Sequence, residues 1–243
     1  MNNFYLVIPV RLASTRLPNK VMYKIGGKTI LEWIYLKCLK CVNRKNIFVL
    51  TEDKEVISFC NSKKIQSFLT KKTKTGTDKI YEFSKARKAK FYLNVQGDEI
   101  FFSTKALKRL IISAKKNNDT IINCYTKISN NEEYLSRNVP KMVFDRNGYL
   151  LYASRGPIPS SKVDIFNNSF KQVCLYSFPY KQLQKFGSMK NKTQFEKFED
   201  IEILRFLELG FKVLLIRSEG SNRAIDTIQD YNFAKKNFKK FYK

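Results

Sequence analysis

The sequence contains no histidine among its 243 residues. This absence excludes Ser-His-Asp and Cys-His catalytic machinery, and it also excludes zinc sites built on histidine. Catalysis by this chain must therefore depend on carboxylates, lysine, arginine, tyrosine, hydroxyl groups or a metal ion held by oxygen atoms.

Long apolar segments are also missing. No apolar run approaches the roughly 20 residues that a membrane-spanning helix needs. The N-terminal stretch "MNNFYLVIPV" has the pattern of a short strand and lacks the charged and apolar regions of a signal peptide. We therefore expect a cytoplasmic protein that has no membrane partner.

Cysteine is scarce and scattered, with single residues at Cys38, Cys41, Cys60, Cys124 and Cys174. An odd, unclustered set without a secretory signal indicates reduced thiols. Cys38 and Cys41 form a C-x-x-C motif inside the helix-like stretch "TILEWIYLKCLKCV", and no second pair accompanies it. We interpret them as two helix cysteines rather than as a redox or zinc site.

Acidic residues are few beside basic ones: 21 Asp and Glu oppose 46 Lys and Arg, which gives a net charge of +25. Such a balance favours nucleic acid or an anionic substrate as a partner. The lysines are spread along the whole chain, however, and no zinc-finger, homeodomain or RNA-recognition motif is present. We interpret most of the charge as solvated surface and keep nucleic-acid binding as the alternative based on charge.

What the sequence does contain is an alternation of short apolar runs with segments of helical period. The strands predicted in the N-terminal half are Phe4–Val10, Asn46–Thr51, Ile65–Thr70 and Phe91–Val95, and the helices between them are Ile30–Val42, Lys54–Lys63 and Asp78–Lys88. A further helix follows Ser103, which is predicted to cap it, and "DTIINCYTKI" supplies another strand. This order is typical of an α/β fold with a mostly parallel sheet covered on both faces.

The pattern changes after Val139. "VPKMVFDRNGYLLYASR" alternates apolar and polar residues around Asn147-Gly148, which predicts a hairpin. Beyond it we predict a strand in "FKQVCLYSFP", one helix in "FEKFEDIEILRFLELG" ending at Gly210, a strand in "FKVLLIRSE" and a closing helix in "TIQDYNFAKKNFKKF". The prediction is a single domain over residues 1–243 with a β-rich excursion near residues 130–180.

The loop after the first strand concentrates phosphate-binding groups. In "VIPVRLASTRLPNK", Arg11, Arg16 and Lys20 supply positive charge, and Ser14 and Thr15 supply hydroxyl groups. Arginine offers a planar fork to phosphate oxygens and lysine a point charge. The segment matches neither the Walker loop nor the dinucleotide fingerprint. Because ligands of open α/β sheets bind at the carboxyl ends of strands, we favour a polyphosphate site over an exposed polar loop.

Two carboxylates follow other predicted strand ends. Asp98 lies in "YLNVQGDE", directly after a buried strand, and Asp226 lies in "RAIDTIQDY", just before the last helix. Carboxylate oxygens suit Mg2+, which also takes phosphate oxygens. Each segment alone is also compatible with an ordinary turn, and Asp226 or Thr227 with a helix cap.

Five segments in this order resemble the 3-deoxy-manno-octulosonate cytidylyltransferases (CMP-Kdo synthetases), which are sugar-activating nucleotidyltransferases. The segments are "IPVRLASTRLPNK", "TGTDKIYE", "YLNVQGDE", "LLYASRGPIP" and "AIDTIQDY". The resemblance runs nearly end to end, and the first and third segments together are specific for the family. It implies a Rossmann-like three-layer α/β/α nucleotidyltransferase fold.

The resemblance also implies roles for individual residues. Along the nucleotide it places Arg11, Ser14, Arg16, Lys20, Thr75, Gly76, Thr77 and Gln96, with Asn19 and Thr73 at positions where the family has other residues. Near the sugar it places Gln96, Arg155, Gln172, Tyr176 and Glu202. As Mg2+ ligands it places Asp98 and Asp226, and as catalytic residues Arg11, Lys20 and Asp98.

The sugar side departs from the family pattern at two positions. Gln172 in "QVCLY" stands where the family commonly has histidine, and Ile203 follows Glu202 where glutamine is usual. Both positions are expected near the sugar. A sugar acid that differs from Kdo at one or two substituents is therefore the alternative substrate, either an amino-Kdo analogue or a sialic-acid-like compound.

The activity implied is conversion of CTP and Kdo into CMP-Kdo and pyrophosphate, for lipopolysaccharide or capsule biosynthesis. The anomeric hydroxyl of the sugar acid would attack the α-phosphorus of CTP with help from Mg2+, and the cationic loop would stabilise the leaving pyrophosphate. The expected partners are CTP, a 3-deoxy-ulosonic acid and a second copy of the chain in a homodimer.

Overall fold

A mostly parallel sheet forms the centre of the molecule in the computed structural model, which describes residues 2–160, 162, 166, 168–219 and 224–241. The order across the sheet is β11 (Val213–Arg217), β7 (Ile121–Lys127), β10 (Phe170–Pro179), β6 (Ala89–Val95), β1 (Asn2–Pro9), β4 (Ile47–Thr51) and β5 (Ser67–Leu69). β10 runs antiparallel to both of its neighbours, and the other pairings along this path are parallel.

Helices cover both faces of this sheet. They are α1 (Ile30–Leu39), α2 (Lys54–Ser62), α3 (Gly76–Ala86), α4 (Thr104–Lys116), α5 (Asn131–Leu135), α6 (Tyr180–Ser188), α7 (Gln194–Glu199), α8 (Ile203–Glu208) and α9 (Ile228–Phe241). Successive residues of β1 point to opposite faces, so that Leu6 and Ile8 join the core beneath α1 and α4, whereas Tyr5 and Val7 join the core beneath α3 and α6. The structure thus confirms the predicted three-layer α/β/α fold.

Local signals of the sequence are confirmed at several elements. The Ser103 hydroxyl accepts a hydrogen bond from the Ala106 backbone and caps α4. β8 (Lys141–Phe144) and β9 (Leu150–Ser154) pair antiparallel around Asn147-Gly148, where Gly148 has a φ of 81° that glycine tolerates. The five cysteines are all free thiols.

The segment "FEKFEDIEILRFLELG" departs from its prediction as one helix. It forms two short helices, α7 and α8, because Asp200 between them has a left-handed backbone with a φ of 50°. The break turns Asp200 and Glu202 toward the cleft described below. The apolar pattern contains no signal for a left-handed aspartate. A prediction from helical periodicity alone therefore gives one continuous helix.

Other elements were missing from the prediction. A small hairpin, β2 (Lys24–Ile25) and β3 (Lys28–Thr29), turns at Gly26-Gly27, and the short helices α5 and α6 were not predicted. The strand predicted in "FKQVCLYSFP" exists, but it inserts between β6 and β7 in the central sheet and also pairs with β8 at its start.

Among the residues that the structure describes, no helix has both the length and the apolar character needed to cross a membrane.

Candidate active site

The loop between β1 and the hairpin folds back over the carboxyl end of the sheet. The Leu12 amide donates to Asp53 Oδ2 (2.8 Å), and the Asn19 amide donates to the Leu12 carbonyl (2.9 Å). Asn19 has a φ of 56°, a left-handed conformation that asparagine adopts more readily than most residues. This fold returns the chain to the sheet, so that Lys20 at the start of a short 3-10 helix faces the strand ends.

The loop after β6 lies directly against the end of β1. A side chain at Gly97 would collide with Val10, so glycine permits the close approach of these two segments. The Ile225 amide donates to the Asp98 carbonyl (3.0 Å) and joins this loop to the segment before α9. Three segments that are distant in sequence thus meet at the sheet edge, as expected for strand ends of an α/β fold.

Lys20 lies between the two predicted metal ligands. Its Nζ is 2.6 Å from Asp98 Oδ2 and 2.7 Å from Asp226 Oδ1. Arg16 approaches the other oxygen of Asp226 at 3.2 Å. Burial by itself lowers the pKa of Lys20, but the two carboxylates outweigh it and raise that pKa above its usual value.

Asp226 does not cap the last helix. That role belongs to Thr227, whose hydroxyl accepts from the Asp230 amide (3.2 Å), while Asp230 Oδ2 accepts from the Thr227 amide (3.0 Å) and from the Asp226 amide (3.2 Å). The carboxylate of Asp226 therefore remains directed at Lys20 and Arg16.

The Asp98 and Asp226 carboxylates fit a divalent ion. Each directs one oxygen to the same cation position, and such hard oxygen ligands are what Mg2+ takes from proteins when phosphate oxygens and water complete its coordination. In the described part of the chain, no group of three or more His, Cys, Asp or Glu side chains forms a metal site by itself. A metal ion here would therefore need ligands from a substrate as well.

Two adjoining cavities extend from these carboxylates, with volumes of about 570 Å³ and about 540 Å³. The larger, which we call the loop-side cavity, includes Arg11, Ser14, Arg16, Lys20, Gly76 and Gln96 among its lining residues. The smaller, which we call the strand-side cavity, includes Gln96, Arg155, Gln172, Tyr176 and Glu202 among its lining residues. Asp98 and Asp226 line both.

Thr75 and Thr77 lie outside this lining. Thr75 is the N-cap of α3, where its hydroxyl accepts from the Asp78 amide (3.1 Å), and the Thr77 side chain is buried. Of the predicted Thr-Gly-Thr contact with nucleotide, the structure places Gly76 alone in the cavity wall. The two threonines instead shape the first turn of α3.

Glu202 is bound to the same turn. Its carboxylate accepts hydrogen bonds from the amides of Gly76 (3.1 Å) and Thr77 (2.8 Å), the first residues of α3. Burial raises the pKa of Glu202, and these backbone donors oppose that shift. Glu202 thus joins α8 to α3 while it lines both cavities. The prediction of a sugar contact did not anticipate this link.

Arg155 is held almost entirely by backbone carbonyl groups. Its guanidinium donates to the carbonyls of Glu199 (2.6 Å), Arg137 (3.0 Å) and Asp200 (3.0 Å). The Glu199 carboxylate in turn accepts from the Arg155 amide (2.7 Å) and from the Ser154 hydroxyl (2.7 Å). These bonds attach the break between α7 and α8 to the end of β9, so Arg155 positions one wall of the cleft.

An irregularity in β10 shapes the floor of the strand-side cavity. The register of β10 against β7 shifts between Val173 and Tyr176, and the buried Asn123 side chain donates to the carbonyls of Val173 (2.9 Å) and Leu175 (3.1 Å). Asn123 Oδ1 accepts from the Gln172 amide group at 3.0 Å. The bulge presents the side chain of Cys174 to both cavities, and burial raises the pKa of this thiol well above its usual value.

Ile203 does not lie where it was expected. It is 1% exposed, packs in the core between α8 and the sheet, and lines neither cavity. The preceding Glu202 and Ile201 face the strand-side cavity instead. The prediction that Ile203 lies near the sugar is therefore wrong, and of the two unusual positions Gln172 is the one in the cavity wall.

Two buried charged residues of the site, Lys79 and Glu99, were not among the sequence-based predictions. Lys79 is 3% exposed, forms an ion pair with Glu52 and lines the loop-side cavity. Glu99 is 4% exposed and lines the strand-side cavity; its Oε1 accepts from the Cys174 amide (3.0 Å), and its Oε2 has no hydrogen-bond partner. Burial and the neighbouring Asp98 raise the pKa of Glu99 to about 7. The position of Glu99 directly after Asp98 in "QGDE" was the sequence signal that could have placed it at the site.

Comparison with known proteins decides the family. Residues 5–216 match the family model described as cytidylyltransferase. The chain belongs to the cytidylyltransferase family. The matched region includes the cleft residues discussed above, apart from those in the segment that carries Asp226.

Two members of this family show how far the likeness extends. The chain is 32% identical to the 3-deoxy-manno-octulosonate cytidylyltransferase of Elusimicrobium minutum (strain Pei191), over 97% of this chain and 98% of the relative. It is also 32% identical to the protein of the same name from Fusobacterium nucleatum subsp. nucleatum, over 96% and 98%. The resemblance predicted from the sequence motifs is thereby confirmed.

The fold of the cytidylyltransferase is also found in a solved structure. A CMP:2-keto-3-deoxy-manno-octonic acid synthetase complexed with CTP superposes with a TM-score of 0.89, and the alignment covers 98% of this chain and 99% of that one at 23% identity.

Proposed function

We propose that this cytidylyltransferase transfers CMP from CTP to the anomeric hydroxyl of 3-deoxy-manno-octulosonate and releases pyrophosphate. The observation that carries the proposal is the meeting of the loop Arg11–Lys20 with Asp98 and Asp226 in one cleft. A cationic loop opposite two carboxylates is the arrangement that a triphosphate and a divalent ion require. The names of the full-length relatives support the sugar acid as the acceptor.

The loop-side cavity would hold the nucleotide. Arg11, Arg16 and Lys20 would neutralise the triphosphate, and Ser14 would donate a hydrogen bond to it. Gln96, at the end of β6, lines both cavities and would contact nucleotide and sugar. These side chains would orient the α-phosphorus for in-line attack, which supplies much of the catalysis in phosphoryl-group chemistry.

Asp98 and Asp226 would hold Mg2+. When bound, this ion would polarise the attacking hydroxyl and neutralise charge on the phosphate oxygens. Because the carboxylates belong to loops joined by the hydrogen bond between Ile225 and Asp98, their separation is set by the fold. Asp98 would therefore contribute to catalysis through the position at which it holds the ion.

The strand-side cavity would hold the sugar acid. Gln172 and Tyr176 on β10 form its floor, and Arg155 and Glu202 form the wall where α7 and α8 meet β9. Arg155 would attract the sugar carboxylate electrostatically, although three of its donor groups already bind backbone carbonyls.

Pyrophosphate release from CTP, Mg2+ and 3-deoxy-manno-octulosonate tests the function directly. Asp98→Asn is expected to lower kcat by at least about 100-fold, because the metal would lose a charged ligand. Asp119→Asn, which changes an exposed carboxylate outside the cleft, is the matched control. Retained turnover in Asp98→Asn would refute the metal assignment, and no turnover of the wild type with this sugar acid would refute the substrate.

A related sugar acid that carries an amino group is a second candidate substrate. Glu99 lines the strand-side cavity and its Oε2 has no hydrogen-bond partner, so an additional donor on the sugar would meet an acidic residue in this wall. Gln172 adds an amide group in the same cavity. Comparing kcat/KM for Kdo, an amino-Kdo analogue and a sialic acid, all with CTP, separates these substrates.

We also propose that the enzyme acts as a homodimer in the cytoplasm. Apolar side chains on the outer side of β9 and α7 support the dimer, because Leu151 is 62% exposed and Phe198 is 80% exposed. Sedimentation of the wild type and of Phe198→Ser tests it. A monomeric wild type at micromolar concentration would contradict the dimer.

A further inference from the structure

Lys20 occupies a position that contact with a triphosphate alone does not explain. Its ammonium group accounts for the convergence of Asp98 Oδ2 (2.6 Å) and Asp226 Oδ1 (2.7 Å) on one point, and its side chain is only 13% exposed. Of the two carboxylates, Arg16 contacts only Asp226, at 3.2 Å, and its side chain is 44% exposed. The chain itself therefore supplies the cation that the two carboxylates share.

A divalent ion at this point cannot coexist with the ammonium group. Two cations within the first coordination distance of the same oxygens repel each other strongly, and an oxygen that ligates a metal has less electron density to offer a second cation. We propose that the Lys20 ammonium group substitutes for the metal ion. It holds Asp98 and Asp226 together until the ion binds, and the ion then displaces it. The proposal rests on the metal assignment made under the proposed function.

The expelled ammonium group has a partner available. The loop-side cavity that would receive the triphosphate is lined by Lys20 itself and by Arg11, Ser14 and Arg16. Without a nucleotide, expulsion exchanges two short ion pairs for water, which opposes metal binding. With a nucleotide, phosphate oxygens replace the lost carboxylates. Lys20 would therefore make the site bind a metal ion weakly alone and tightly together with the triphosphate, and such coupling is reciprocal.

Mn2+ binding without nucleotide, followed by electron paramagnetic resonance, tests the proposal on the purified full chain. Lys20→Met is expected to bind Mn2+ at least about tenfold more tightly than the wild type, which lies within the usual range of such coupling. Arg11→Gln is the matched control. It removes one positive charge from the same cavity, but Arg11 forms no ion pair with Asp98 or Asp226. Equal Mn2+ affinities for the Lys20 and Arg11 variants would overturn the proposal.

A measurement on the wild type protects the test against a variant that fails to fold. Brief acetylation with acetic anhydride, followed by mass spectrometry, reports the accessibility of each lysine. Mg2+ added without nucleotide is expected to raise labelling of Lys20 by several-fold relative to labelling of the exposed Lys105. Unchanged relative labelling at a saturating Mg2+ concentration would overturn the proposal.

Asp98→Asn separates the two levels of inference. If this variant loses Mn2+ binding while Lys20→Met binds like the wild type, the metal assignment stands and the role of Lys20 is refuted. If Asp98→Asn binds Mn2+ like the wild type, the metal assignment fails, and the proposal for Lys20 fails with it.

Discussion

Replacing Arg205 by methionine is expected to destabilise the fold severely. Arg205 lies at the centre of α8 and is one of the largest fully buried side chains. Its guanidinium forms two hydrogen bonds of 2.6 Å to the buried Glu196 carboxylate and a third of 3.1 Å to Asp78. It also stacks on the Phe186 ring at 3.7 Å, so this one side chain joins α3, α6, α7 and α8.

The cost of the substitution follows from the charge that is left behind. Methionine fills similar volume, but it leaves Glu196, which is 0% exposed, without a counterion. Removing one partner of a buried ion pair costs about 3–5 kcal/mol. With an m value of about 3 kcal/mol/M, which suits a chain of this size, the midpoint of urea unfolding would fall by about 1–1.7 M.

Equilibrium urea unfolding monitored by circular dichroism measures this shift. The double variant Arg205→Met/Glu196→Gln is the control, because removing both charges is expected to restore part of the lost stability. A midpoint shift below about 0.3 M for Arg205→Met, or a double variant as unstable as the sum of its parts, would refute the reasoning.

Two further outcomes are expected at the site. Gly76→Ala would place a methyl group 3.1 Å from the Gln96 side-chain amide, so KM for CTP should rise by about tenfold in steady-state assays with kcat little changed; an unchanged KM would contradict this. The pKa of Glu99, raised to about 7 by burial, lies above its unfolded value, so this group stabilises the protein below about pH 4.5 and that contribution is lost as the pH rises through 7. In EDTA, Glu99→Gln should therefore gain about 3 kcal/mol relative to the wild type between pH 5 and 8, as measured by urea unfolding; parallel pH profiles would contradict this.

Residue patterns predict the loop-side cavity well because its parts follow strand ends. Once β1 and β6 are recognised as parallel neighbours, Lys20 and Asp98 must lie at the same edge of the sheet. Asp226 lies at the same edge because the segment before α9 passes there. Its position just before a predicted helix was the signal in the sequence. Residues that follow parallel strands therefore lie close together in the fold, and the ion pairs of Lys20 with Asp98 and Asp226 are consistent with this.

The strand-side cavity was less predictable because long-range contacts shape it. The break at Asp200 depends on a left-handed aspartate, and the wall beside it depends on Arg155 binding the carbonyls of Glu199 and Asp200. Neither feature alters the apolar periodicity of the segment. Ile203 was expected near the sugar only from the family pattern, and the structure buries it in the core at 1% exposure.

The antiparallel insertion of β10 has a consequence for how this enzyme could diversify. The floor of the strand-side cavity comes from one strand, and the cationic loop and carboxylates come from three other segments. If Gln172 and Tyr176 contact the acceptor as proposed, substitutions there would alter acceptor preference and leave the loop Arg11–Lys20 and the two carboxylates unchanged. On this proposal, a combinatorial library confined to Gln172 and Tyr176 would sample new sugar acids without changing a residue of the loop-side cavity.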